Sequence, residues 1–274
     1  MTAVAQPISS ATSIAVPRAH SIAGIVRIYF LEGKYELFKL LRLPAFLITS
    51  LGFPLMFYTL FGLLLPMGKS GFNMSVYLVA TYGAFGVIGI ALFALGVGVA
   101  TERGQGWLAV KRASPMPLPA YFFGKYAMTV ILSTVLVVLL STLAVIFGHV
   151  RMPALHWMGL FASLMLGGIP FCAAGLAIAY LVGPNSAPAV VNAIYLPSAF
   201  LSGLFIPAEM LPTFLRTFAQ FLPPYHLARL ALTAIGLAPA SEIWVHIGAL
   251  ALFGMIFTVV AALAYRRDEG KTFG

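Results

Sequence analysis

Six long apolar runs dominate the sequence: 43–66, 74–100, 120–148, 157–182, 187–205 and 243–265, each of 19–29 residues. None contains Asp or Glu, and Lys125 is the one Lys or Arg within them. A helix rises about 1.5 Å per residue, so each run is long enough to cross a hydrocarbon core about 30 Å thick. Strands of a membrane barrel would read as alternating segments of about 10 residues, a pattern these runs lack. Composition agrees: 61% of the chain is hydrophobic and 8% charged, against about 45–50% and about 25% in soluble domains. A water-soluble enzyme is thereby excluded. So is a disordered chain, because 13% of the residues are aromatic. The expected fold class is an all-α membrane protein with six transmembrane helices.

Lys and Arg number 16 against 7 Asp and Glu, a net charge of +9. In a membrane protein this excess reads as topology, since cytoplasmic loops collect basic residues; no nucleic-acid partner is expected. With the N-terminus inside, twelve basic residues fall inside and four (Lys69, Arg151, Arg216, Arg229) outside. The count predicts an N-in, C-in arrangement. Residues 1–20 lack the apolar run of a secretory signal and are expected to form a mobile cytoplasmic tail; 266–274 form a second. The single cysteine, Cys172, lies in an apolar run and has no intrachain disulfide partner.

Residues 21–42 read as an amphipathic interfacial helix. Ile22, Ile25, Val26, Tyr29, Phe30, Leu37, Leu40 and Leu41 recur at three- and four-residue spacing, with Arg27, Glu32, Lys34, Glu36, Lys39 and Arg42 between them. The segment 206–242 is apolar yet broken by Pro207, Pro212, Pro223 and Pro224. It predicts short helices that dip into the outer leaflet and return. The pairs Ala80/Ala84, Ala94/Gly98 and Ala173/Ala177 suit close helix approach. Pro54 and Pro170 lie inside runs and predict kinks.

Chemical motifs are missing. Gly68-Lys69-Ser70 resembles the end of a phosphate-binding loop, but Leu63 stands where its first glycine belongs. The sequence has no HExxH, GxSxG or CxxC. His149 and His156 flank one loop without a thiol or acid nearby, which reads as an interfacial polar role rather than a metal site. Carboxylates, the usual ion relays of pumps and secondary carriers, are absent from the runs. The energy for any transport is therefore expected from a partner, and the chain is expected to be no enzyme.

Three stretches carry a family resemblance. The first is Glu102-Arg103-Gly104-Gln105-Gly106-Trp107-Leu108, followed by Lys111-Arg112-Ala113-Ser114-Pro115, Tyr121 and Gly124-Lys125. The second is Ser202-Gly203-Leu204-Phe205-Ile206-Pro207 with Glu209-Met210-Leu211-Pro212, and the third Leu222-Pro223-Pro224-Tyr225-His226. In order, spacing and layout the chain resembles the permease subunit of ABC-2 type ABC transporters, in the branch that exports drugs and antibiotics. That resemblance implies a type V (ABCG-like) exporter transmembrane domain over 43–265, with an N-terminal interfacial helix and re-entrant outer helices before the last span. It implies two copies of an ABC ATP-binding subunit, a second permease copy (homodimer or paralogue), and a bacterial inner-membrane location. ATP and Mg would sit on the partner ATPase, with no cofactor on this chain.

The resemblance also implies site residues. ATPase coupling falls to Glu32, Lys34, Glu36, Glu102, Arg103, Gly106, Lys111, Arg112, Ser114 and Pro115, with Glu102–Arg103 expected to pair with the amphipathic helix. The substrate path falls to Tyr82, Phe85, Phe93, Asn192, Tyr195 and Phe200. The outer gate falls to Gly203, Pro207, Glu209, Pro212, Pro223 and Tyr225. A hydrophobic or amphipathic substrate (drug, antibiotic or lipid-like) is expected. The alternatives are a polysaccharide, glycolipid or sodium exporter of the same type, or a secondary carrier not driven by ATP.

Overall fold

A computed structural model describes residues 22–65, 74–114 and 116–269. Pro115 and the terminal tails 1–21 and 270–274 lie outside the described residues. All regular secondary structure among the described residues is helical, with no strand among them. The helices are α1 (Ile22–Leu41), α2 (Pro44–Phe57), α3 (Met74–Ala91), α4 (Gly98–Gly104), α5 (Trp107–Ala113) and α6 (Leu118–Ile146). They continue as α7 (Ala154–Gly167), α8 (Ile169–Leu181), α9 (Ala187–Leu201), α10 (Thr213–Ala219), α11 (Pro223–Ala234) and α12 (Ile243–Glu269). Two wide-turn π segments, Tyr58–Leu64 and Leu92–Val97, extend α2 and join α3 to α4.

Among the described residues, five continuous helical stretches are long and apolar enough to cross a membrane: Pro44–Leu64, Met74–Gly104, Pro119–Ile146, Ala154–Leu181 and Ala240–Asp268. Ala187–Leu201 is apolar but only 15 residues long, about 22 Å at the helical rise. The apolar run to residue 205 does not stay helical. Gly203 turns left-handed at φ +78°, and a Cβ there would lie 3.0 Å from Ala208. Only glycine suits both demands. Tyr77 donates to the Gly203 carbonyl at 2.7 Å and holds the turn against α3.

α3 is the centre of the molecule. Nearly every residue along it is buried, as expected of a helix that is apolar all round. Its close neighbours are admitted at three glycines. A Cβ on Gly83 would meet Leu164 of α7 at 2.8 Å, one on Gly86 would meet Leu136 of α6 at 2.1 Å, and one on Gly89 would meet the Tyr195 hydroxyl at 2.7 Å. Further along, α8 crosses the second π segment where Gly96 and Gly175 face each other, with a Gly175 Cβ only 3.1 Å from the Gly96 nitrogen. Ala80, Ala84, Ala94, Ala173 and Ala177 are buried around these crossings.

Pro54 and Pro170 both leave their mark. Pro54 is buried within α2, four residues before the helix widens into its π segment. Pro170 lies in the first turn of α8, where the stretch Ala154–Leu181 breaks at Gly168. Segment 206–242 folds as a 3₁₀ turn (Ala208–Met210), α10, α11 and a second 3₁₀ turn (Ala240–Glu242). α11 packs on α3, α7 and α12. The outward face of α10 and its flanks carries exposed Met210, Phe214, Phe218 and Phe221.

Candidate functional site

Glu32, Glu36 and Lys39 are spaced four and three residues apart on α1, which puts them on one face of the helix. That face lies against α6, and the approach is tight. A Cβ on Gly124 would stand 2.9 Å from the Glu32 Cγ and 3.3 Å from its backbone carbon. One turn along α6 from Tyr121 is Lys125, whose side chain is 2% exposed. α4 ends beside them and presents Glu102, and α5 presents Lys111.

These side chains form one closed network. Lys125 Nζ donates to Glu36 Oε2 at 2.8 Å and to Glu102 Oε1 at 2.5 Å. Lys39 donates to the same Glu102 oxygen, and Tyr121 donates its hydroxyl to Glu102 Oε2 at 2.7 Å. Lys111 donates to Glu32 and lies 3.8 Å from Glu36 Oε1. The Tyr121 ring faces both ammonium groups, 4.5 Å from Lys111 and 5.5 Å from Lys125. Three lysines thus meet three glutamates, and three of the chain's seven acids are spent here. A buried charge is tolerable when paired and hydrogen-bonded, and this cluster is balanced.

The electrostatics follow from that balance. Burial pushes the Glu36 carboxyl up, but Lys125, helped by Lys39 and Lys111, outweighs it and holds Glu36 below the usual carboxylate range. Lys39 is pulled down to about 8, first by partial burial and then by the Lys125 ammonium, with Glu36 opposing.

Arg103, adjacent to Glu102, faces elsewhere. Successive residues on a helix point about 100° apart. Arg103 Nη2 donates to the Val182 carbonyl at 2.8 Å, capping the C-terminal end of α8, and Nη1 lies 3.6 Å from Asp268 of α12. Glu102 thus meets α1 through Lys39, while these contacts of Arg103 run to α8 and α12. Gly104 packs against Pro184, where a Cβ would come within 2.6 Å. The short segment α4–α5 is thereby tied to α1 and α6 on one side and to α8 and α12 on the other.

The remaining coupling candidates lie outside the network. Lys34 is exposed, 5.7 Å from the Phe38 ring. Gly106 makes the turn between α4 and α5 at φ +77°, with open space around it. Ser114 donates to the Lys111 carbonyl at 2.7 Å at the end of α5, and Arg112 sits on the same helix. Trp107 and Val110 of α5 are exposed. Sequence reasoning did not assign Lys39, Tyr121, Lys125 or Asp268 to the site. A signal for Lys125 was present, because a lone cation in an otherwise uncharged apolar helix needs a partner.

A cavity of about 400 Å³ opens between α2, α3 and α9. It brings together Phe85, Phe93, Asn192 and Tyr195, with Thr49, Ser50, Phe53 and Phe57 opposite. Tyr195 stacks on Phe85 at 4.7 Å and donates to the Phe85 carbonyl at 2.7 Å. Two expected path residues lie elsewhere. Tyr82 is fully enclosed between Phe57 and Phe205, and Phe200 stacks on Phe205 at 4.3 Å with its other face exposed. Of the gate candidates, Pro207, Pro212 and Pro223 stand at the starts of the 3₁₀ turn, α10 and α11. Glu209 lies in that turn, and Tyr225 lies beside His226 and His246.

Comparison with known proteins adds two findings. The family model described as ABC-2 family transporter protein matches residues 64–263, well over half of the chain. "Putative transport permease YvfS" of Bacillus subtilis (strain 168) is 24% identical over 235 residues, which cover 85% of this chain and 95% of that protein.

Proposed function

Because the chain belongs to the ABC-2 family of transporter proteins, we propose that it is the permease subunit of an ATP-driven exporter, a multi-pass protein of the bacterial inner membrane. The observation that carries the coupling half of this reading is the Lys–Glu network joining α1, α4, α5 and α6. In this reading α5 and the exposed part of α1, with Lys34, Gly106, Trp107 and Ser114, meet a separate ATP-binding subunit. That subunit would be present in two copies and would hold ATP and Mg. The buried charges do not touch the partner. They make α1, α4 and α5 move as one body, and Arg103 passes that motion to α8 and α12.

The substrate half rests on the aromatic cavity. Its walls carry aromatic rings, the three hydroxyls of Thr49, Ser50 and Tyr195 and the Asn192 amide, with no charged group. Such a lining suits a hydrophobic or amphipathic molecule with a few hydrogen-bonding groups. The cavity would open toward a second permease copy, and α9 would complete a six-helix arrangement. Segment 206–242 would close the outer side.

The test is ATPase activity of the purified chain alone and with a co-expressed ATP-binding subunit, in liposomes. The reading expects silence from the chain alone and an active pair stimulated by lipophilic compounds. Failure of any ATP-binding subunit to associate, or dissipation of an ion gradient by the chain alone, overturns it.

A further inference from the structure

At the end of α12 remote from Asp268, two histidines join α11 to α12. The His226 ring nitrogen Nε2 lies 2.9 Å from the Gln220 carbonyl oxygen. A carbonyl only accepts, so this nitrogen carries a proton and donates. In neutral His226 the other nitrogen, Nδ1, then bears a lone pair. It lies 3.0 Å from His246 Nδ1, which must donate to it. The chain of donors assigns both tautomers and leaves one vacancy: His246 Nε2, buried and without a hydrogen-bond partner, 3.6 Å from the Glu242 carboxylate.

The surrounding groups fix what acid does. Arg229 of α11 already reaches Glu242 at 3.4 Å. The Tyr225 ring lies 5.5 Å from His226 and 6.1 Å from His246, and Arg216 of α10 lines the same cavity of about 610 Å³. The Phe253 ring lies 6.2 Å from His226. Burial holds His226 below the usual imidazole range, with the Gln220 carbonyl opposing, so the bond between the rings is made by neutral histidines. A first proton goes to His246 Nε2, facing Glu242 and in competition with Arg229. A second has only His226 Nδ1 left. Two N–H groups then face each other across the 3.0 Å contact, and the bond is lost between two cations.

We propose that His246 Nε2 is a proton-binding site and that the His226–His246 pair is a latch between α11 and α12 which acid releases. This goes beyond the exporter reading and stands or falls independently of it. For a group whose folded pKa is depressed, the stabilising contribution is present above the unfolded value, about 6.5 for histidine, and is lost as pH falls through the folded value.

The test is hydrogen exchange of the 223–242 amides in the full chain in lipid nanodiscs, corrected for intrinsic chemistry, at about pH 7.5 and about pH 5. The wild type is expected to exchange about tenfold faster in acid across α11. His246→Gln can donate to neutral His226 Nδ1 and, with its amide turned, accept from the cation, so it should lose that response, as should His226→Gln. Glu242→Gln, a half-exposed position that tolerates change, should move release to lower pH because the first proton loses its counter-charge. The triple variant His20→Gln/His149→Gln/His156→Gln should respond as the wild type does. A wild type without acid response, or an undiminished response in the two latch variants, overturns the proposal.

Discussion

Replacing Lys125 by methionine keeps the length of the side chain and removes the cation at the centre of the network. Glu36 and Glu102 then lose donors at 2.8 Å and 2.5 Å, while both carboxylates stay buried. Breaking a buried pair on one side costs about 3–5 kcal/mol, because the orphaned charge remains in low dielectric. Lys39 and Lys111 still face the two acids, so the low end, about 3 kcal/mol, is expected. The assay is reversible unfolding in mixed micelles, run as a double-mutant cycle with Glu102→Gln. Lys125→Met/Glu102→Gln restores charge balance and should recover at least about half of the loss. A single variant within about 0.5 kcal/mol of wild type, or a double variant no better than the single, refutes the claim that the pairing holds these helices together.

Three further outcomes follow from the same geometry. Gly124→Val should drive α1 from α6, since even a Cβ meets Glu32 at 2.9 Å; a loss of about 1–3 kcal/mol in the same unfolding assay is expected. Gly106→Ala meets no steric obstacle but must hold φ +77°, so a loss of about 1–2 kcal/mol is expected, from backbone strain alone. Lys39 should react with an amine-selective acylating reagent with a midpoint near pH 8, and peptide mass spectrometry across pH reads this directly. The sign is that of a cation disfavoured by folding: the Lys39 contribution rises with pH between about 8 and about 10.4, the unfolded value, while its bond to Glu102 weakens over the same window.

The apolar runs make the helical membrane architecture legible, because nothing else folds from 61% hydrophobic sequence with 8% charge. Helix ends are less legible, since hydropathy does not see backbone turns. The apolar run to residue 205 contains the left-handed turn at Gly203, so α9 stops at Leu201. Orientation within a buried helix is not legible at all. α3 is apolar on every side, so no pattern distinguishes enclosed Tyr82 from Phe85, which lines the cavity. The spacing of Glu32, Glu36 and Lys39 puts them on one helix face, but their partners sit 63 to 89 residues away and only packing brings them together. Neighbouring Glu102 and Arg103 turn to different sides because successive helix residues point about 100° apart. The histidine pair had no sequence signal, because its members lie on separate helices 20 residues apart.

The most direct test of coupling compares substrate transported per ATP hydrolysed in inside-out vesicles, for wild type and Glu102→Gln, each assembled with its ATP-binding subunit to the same extent. The account predicts at least about a tenfold fall in that ratio for the variant, with assembly intact, since one buried charge-assisted pair is worth more than about 1.4 kcal/mol. An unchanged ratio in a fully assembled Glu102→Gln complex would contradict it.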